Sequence, residues 1–145
     1  MPSTTDRIEK EIILDAPRAR VWRAITNVRE FNEWFGVALT APFAPGVTVS
    51  GQITHPGYEH VTMTAWVETM EPEHHFAYRW HPDNLDPTVD YSAEPTTLVT
   101  FILEEVERGT RLIVTETGFD ALPASRRAHA LQGNSNGWKS QLERI

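Results

Sequence analysis

Two helix-like stretches near the start of this chain and one at its end bracket a long middle, Val37 to Gly118, in which every local signal is strand or turn. The opening bracket is APRARVWRAIT (Ala16 to Thr26) followed by EFNEWFG (Glu30 to Gly36), and the closing one contains NGWKSQL (Asn136 to Leu142). A strand precedes them, with Ile8, Ile12 and Leu14 alternating against Glu9, Glu11 and Asp15. That order predicts an α+β domain: a curved antiparallel sheet wrapped around a long C-terminal helix, with two short helices after strand 1. Two short helices so placed pack at one end of the sheet rather than across it. A sheet curled around a helix encloses space, so the order of elements points to a binder of something small and largely apolar.

The local signals fill in this outline. Asp15-Ala16-Pro17 reads as a helix start, with Asp15 as cap and Pro17 in the first turn, where its missing N–H costs nothing. Val21, Trp22, Ala24 and Ile25 give that helix an apolar stripe. Asn27 breaks it, and Val28, Phe31, Trp34 and Phe35 form the apolar side of a second helix that stops at Gly36. Val47 to Ile53 and His60 to Met70 read as strands, and Phe76, Tyr78 and Trp80 alternate with His75, Ala77 and Arg79, which puts three rings on the inner face of the next strand. Residues 81–96, HPDNLDPTVDYSAEPT, have three prolines and no period and read as a long exposed loop with the length to serve as a lid.

Leu98 to Glu107 and Arg111 to Thr117 form a hairpin joined at Arg108-Gly109, with Val99, Phe101 and Leu103 opposite Leu112 and Val114. Pro123 opens the final helix, whose positions Ala124, Ala128, Leu131, Ser135, Trp138, Leu142 and Ile145 follow three-and-four spacing. Neither repeat nor linker interrupts the pattern, so one domain spans residues 1–145.

Composition excludes several functions. With 20 acidic against 13 basic residues the net charge is −7, and the basic residues are scattered, whereas nucleic-acid binders concentrate theirs on one face. No segment has the length and apolarity of a membrane span or signal peptide. The absence of cysteine removes disulfides, thiolate metal sites and thiol nucleophiles and suits a reducing compartment, so cytoplasmic residence is expected. No G-x-S-x-G elbow, phosphate-binding loop or dinucleotide fingerprint appears. The histidines His55, His60, His74, His75 and His81 lack metal-site spacing; His74 and His75, read as strand neighbours, point to opposite faces. No metal or other cofactor is expected.

The segments APRARVWRAITNVREFNEWFG, TLVTFILEEVERGTRLIVTETGF and the late NGW together resemble the family of homologues of the heat-shock-protein ATPase activator. That family belongs to the START-like, or SRPBCC, superfamily of helix-grip proteins, which includes polyketide cyclases and the birch-pollen allergen. Pro17, Val21, Trp22, Trp34 and Phe35 match its opening motif, Gly109 to Leu112 its hairpin, and Gly137, Trp138 and Leu142 its closing helix. The resemblance implies an apolar cavity between helix and sheet, but the fold hosts binders, cyclases, transporters and co-chaperones alike. The family's eukaryotic activators carry an additional N-terminal domain that contacts the chaperone. A chain of this length is not expected to hold one, which makes a chaperone the lesser partner.

Around the expected cavity stand Trp34, Phe35, Phe76, Tyr78, Trp80, Phe101, Leu131, Ser135 and Trp138, with Ala124, Ala128 and Ser135 small enough to leave space. Glu116 shares parity with Leu112 and Val114, which aims it inward; the alternative is that, near a strand end, it meets water. A desolvated carboxylate acquires a raised pKa, so Glu116 with Tyr78 is the one acid–base pair on offer. The expected function is binding or carriage of a small apolar or aromatic ligand by a monomer or homodimer. A cyclase- or hydratase-type enzyme using Glu116 and Tyr78 is the alternative, and a chaperone-interaction module the third.

Overall fold

The computed structural model describes residues 6–82, 91 and 94–145. The elements run β1 (Arg7–Leu14), α1 (Arg18–Thr26), α2 (Val28–Phe35), β2 (Val37–Leu39), β3 (Thr48–Ile53), β4 (Thr62–Glu71), β5 (His75–Trp80), β6 (Thr97–Val106), β7 (Gly109–Thr117) and, after a 3₁₀ turn at Phe119–Ala121, α3 (Ala124–Leu142). All seven strands join one antiparallel sheet in the order β1-β7-β6-β5-β4-β3-β2. This is the helix-grip arrangement expected from the order of signals. Because β1 pairs with the last strand, chain ends far apart in sequence are brought together, and α3 leaves β7 to run back beneath the sheet.

The strands alternate as half-buried strands must. On the inner face Ile8, Val49, Met63, Phe76, Tyr78, Val99, Phe101, Leu112 and Val114 are all buried. In the β6–β7 hairpin Phe101 faces Val114 and Leu103 faces Leu112, while the turn itself is Glu107-Arg108 rather than Arg108-Gly109. Gly109 is drawn into the strand because it packs under the end of β1: at φ 144° a Cβ there would stand 2.2 Å from the Leu14 carbonyl oxygen.

Helix starts differ from expectation in one respect. Pro17, not Asp15, occupies the cap of α1, and among the described residues no side-chain capping bond is made there; the Pro17 carbonyl accepts from Arg20 N and Val21 N (3.0 and 3.1 Å). Proline's fixed φ suits the extended cap position, which displaces Asp15 out of reach. Asn27 ends α1 and caps α2, its Oδ1 accepting from Glu30 N at 3.1 Å. Gly36, at φ 85°, closes α2 in the left-handed conformation.

Helix α3 departs further from its predicted face. The residues it buries are Ala130, Trp138 and Leu142, and the fourth member of that every-fourth row is Asn134, which is half-buried. Ala124 and Ala128 are exposed, and Leu131 and Ser135 turn toward β1. His74 lies in the turn before β5 beside Arg18, and only His75 is in the strand. Most of the 81–96 segment expected as a lid falls outside the described residues; its two ends are held by Arg126 of α3, which pairs with Glu94 at 2.9 Å and donates to the Pro82 carbonyl at 3.0 Å.

Candidate functional site

Two features stand out where α3 crosses the sheet: a buried carboxylate and an open cleft beside it. Glu116 pairs across the strands with Ile8 and Val99, so β7 places it on the inner face, and it is 0% exposed. The water-facing alternative is thereby excluded. Its Oε2 accepts from the Thr97 hydroxyl (2.5 Å) and the Trp80 indole N–H (2.8 Å). Its Oε1 accepts from the Trp138 indole N–H (2.8 Å), and the Asn134 amide donates to both oxygens at 3.0 Å. No cation pairs with it among the described residues. Burial pushes the Glu116 carboxyl above the ordinary carboxylate value, and the donors Thr97, Trp80, Trp138 and Asn134 pull it part of the way back.

A carboxylate has about four lone-pair sites. Four donors occupy those of Glu116, so the group has no free site to take a proton from a substrate. Tyr78 is fully buried on β5, and its hydroxyl has no hydrogen-bond partner among the described residues. Burial first, and the Glu116 charge second, hold its phenol well above the usual range. The geometry thus presents a proton-retaining tyrosine and a saturated carboxylate.

The cleft lies on the other side of Trp80. It has a volume of about 620 Å³ and runs between α3 and strands β3 and β4, floored by Phe35, Ile53, Val61, Met63 and the Trp80 ring. Phe35 stands 5.9 Å from Trp80 and 6.2 Å from Trp138, centroid to centroid, so the floor continues into the aromatic core. The wall from α3 consists of Gly133, Asn134, Gly137, Ser140 and Gln141. A Cβ added at Gly133 or Gly137 would meet nothing within 4 Å. Gln141 also ties α3 to the end of α2, donating to the Phe35 carbonyl at 2.9 Å.

The predicted site residues therefore separate into three groups. Phe35 and Trp80 line the cleft. Trp34, Phe76, Tyr78, Phe101, Glu116 and Trp138 lie in the buried core behind it, where ring centroids stand 5.6 to 6.5 Å apart, Phe76 tilted on Tyr78 and Tyr78 on Phe101, with Phe101 edge-on to Trp138 and Trp34 edge-on to Phe101. Leu131 and Ser135 line a second concavity of about 610 Å³ between α3 and β1, ringed by Arg7, Glu9, Lys10 and Arg127 and hence much more polar. Sequence reasoning missed Thr97 and Asn134, which hold Glu116, and the two helix glycines that open the cleft. Their four-residue spacing on a face beside Trp138 was the available signal. Among the described residues no group of three or more histidine, aspartate or glutamate side chains is placed to hold a metal ion.

A sequence model of a protein family, described as Activator of Hsp90 ATPase homolog 1-like protein, matches residues 15–145. No curated protein matches. Among solved structures, protein MLL2253 from Mesorhizobium loti superposes with a TM-score of 0.75 at 24% identity, covering 95% of this chain and 92% of its own. Protein NE0264 from Nitrosomonas europaea gives 0.76 at 18% identity, covering 99% and 93%. The Aha1 dimer from Colwellia psychrerythraea gives 0.69 at 16%, covering 94% and 90%. At these identities the likeness speaks to the fold.

Proposed function

This chain belongs to the Activator of Hsp90 ATPase homolog 1-like family, and from that premise we propose that it binds a small, largely apolar or aromatic molecule in the cleft between α3 and strands β3–β4. One observation carries the reading: Gly133 and Gly137 stand inside α3 with open space where their side chains would be. Each glycine costs a helix interior roughly 0.5–1 kcal/mol relative to alanine. Both are exposed and nothing lies within 4 Å of the added Cβ, so close packing against the sheet does not require them, and their lack of side chains leaves the cleft wall open to a ligand. The floor of Phe35, Ile53, Val61, Met63 and Trp80 supplies apolar area at about 25 cal/mol per Å² buried.

The enzyme reading draws less support. Its acid–base pair lies behind the cleft rather than on it, and Glu116 is saturated by donors. Those donors give Glu116 a different part: by holding Trp80 and Asn134, it sets the ring and the amide that face the ligand. Carriage or sequestration follows, in a protein without a membrane-spanning helix among the described residues; cytoplasmic residence, which a chain without cysteine suits, is part of the same proposal. Assembly into a homodimer, by analogy with the Aha1 dimer from Colwellia psychrerythraea, is part of the same proposal.

The test is titration of the purified protein with the neutral fluorophore N-phenyl-1-naphthylamine. One saturable site is expected, and Gly137→Phe, which fills the gap from the helix side, should remove it in a protein that still folds. Undiminished affinity in a folded Gly137→Phe variant would move the site elsewhere.

A further inference from the structure

We infer that the ligand of this cleft is amphipathic, an apolar body carrying one anionic group such as a carboxylate, sulfonate or phosphate. The inference rests on the cleft being the binding site, as proposed above, and concerns the polar atoms around its rim. The chain has 20 acidic and 13 basic residues, yet no aspartate or glutamate lines this cleft among the described residues. The polar side chains on its rim come from separate parts of the chain: His55 and Tyr58 from the turn after β3, His81 after β5, His129 from α3 and Arg144 just past its end. Half of the six histidines of the chain meet here, on three sides of one opening.

Arg144 is the most specific of these groups. Several other arginines hold carboxylates: Arg20 to Glu30 at 2.7 Å, Arg79 to Glu68 at 2.6 Å, Arg126 to Glu94 at 2.9 Å. Arg144 holds none among the described residues, although it stands at the mouth of a mostly apolar cleft in an acidic protein. A guanidinium there offers a planar fork of donors to a carboxylate or phosphate, and an arginine–anion hydrogen bond is about twice as strong as a neutral one. Asn134 does not compete for the anion, because its amide is spent on Glu116. The Glu116 charge itself lies behind Trp80 and is shared among four donors, which limits its repulsion of an anion at the rim.

Two probes with the same phenylnaphthylamine skeleton test this, the neutral N-phenyl-1-naphthylamine and its 8-sulfonate. The sulfonate is expected to bind about tenfold more tightly than the neutral probe, a difference of about 1.4 kcal/mol. Arg144→Gln should shrink that ratio to within about twofold, with His129→Gln shrinking it less, since a guanidinium presents a fork of several donors and an imidazole ring one or two. Both probes should be lost together in Gly137→Phe. Equal affinities in the parent protein, or a ratio unmoved by Arg144→Gln, would overturn the anionic ligand while leaving the cleft as the site. Failure of the neutral probe to bind, or binding indifferent to Gly137→Phe, would remove the cleft itself and this inference with it.

Discussion

Beneath β5 to β7 the space between sheet and helix is filled; beneath β3 and β4 it is not. On the filled side Trp138 reaches from α3 into a cluster of Trp80, Phe101 and Phe35, and its indole N–H ends on Glu116. On the open side the same helix offers Gly133, Gly137 and Ser140 to a floor of Ile53, Val61 and Met63. The two regions share one helix and one sheet, so curvature alone does not make a cleft. Residue volume on adjacent faces of α3 decides where the grip closes on itself and where it stays open for something else. The buried polar cluster around Glu116 is the hinge between the regions, because Trp80 and Asn134 serve it from one side and line the cleft from the other.

The comparison breaks most easily on the filled side. Trp138→Ala removes a side chain that is 2% exposed together with one donor to Glu116, and it should cost about 3–5 kcal/mol, read as a fall in urea midpoint. If the variant melts within a degree or two of the parent, Trp138 is not the keystone of the closed region. The expectation that Trp138 faces the sheet was legible from its spacing to Leu142, and the fold as a whole was legible for the same kind of reason: apolar periodicity switches from three-and-four to two at Val37 and back after Gly118.

The site was less legible, because its defining residues are those that periodicity discards. Asn134 is polar and Gly133 and Gly137 are side-chain-poor, so the apolar pattern found Trp138 and Leu142 but passed over Ala130 and Asn134 of the same row and selected Leu131 and Ser135, which turn toward β1. Thr97 could not be tied to Glu116 without knowing that β6 and β7 pair with Val99 opposite Glu116. A hydrogen-bonded cluster built across β5, β6, β7 and α3 leaves no mark in any one segment. Asp15 shows the converse: a well-placed capping residue lost its role to a neighbouring proline.

Between the two regions, Glu116→Leu should destabilise rather than stabilise. Removing the buried charge recovers its desolvation, but two indoles, a hydroxyl and an amide lose their acceptor, and a stranded donor costs about 1–3 kcal/mol. A net loss of about 2 kcal/mol is expected, and a variant as stable as the parent would show that these donors find other partners. The pH dependence follows with its sign. The folded carboxyl titrates above its unfolded value, so the native state binds the proton more tightly, and stability from this group is present below the unfolded pKa and lost as pH rises through the folded one. Relative to a non-titrating Glu116→Gln variant, the parent should therefore gain urea midpoint on acidification across that window; parallel curves would mean the carboxyl is not perturbed.

The open side is sharpened by filling it. Gly137→Phe should cut affinity for a neutral apolar probe by tenfold or more, about 1.4 kcal/mol, whereas Ser135→Phe, which adds the same ring to the groove against β1, should leave the affinity within about twofold. Equal losses from the two variants would mean that the probe reports helix packing in general and not one cleft.

The smallest effect is the most discriminating, because it separates an open cleft from a poorly packed one. Gly133→Ala and Gly137→Ala each add a methyl that meets nothing within 4 Å and relieve a helix interior of glycine's backbone freedom, so each should raise stability by about 0.5–1 kcal/mol. The two sites are one helical turn apart on the same wall and share no contact, so their gains should add. Were the glycines there to let the sheet approach the helix, as Gly109 lets β7 approach β1, the same substitutions would force the layers apart and cost stability. A rise in urea midpoint for both single variants, summed in the double, with the neutral probe still bound but more weakly as each methyl takes volume from the cleft, is the pattern of a helix kept short of side chains to leave room for a ligand. A fall in midpoint for either would place that glycine in the closed region and move the boundary between the two.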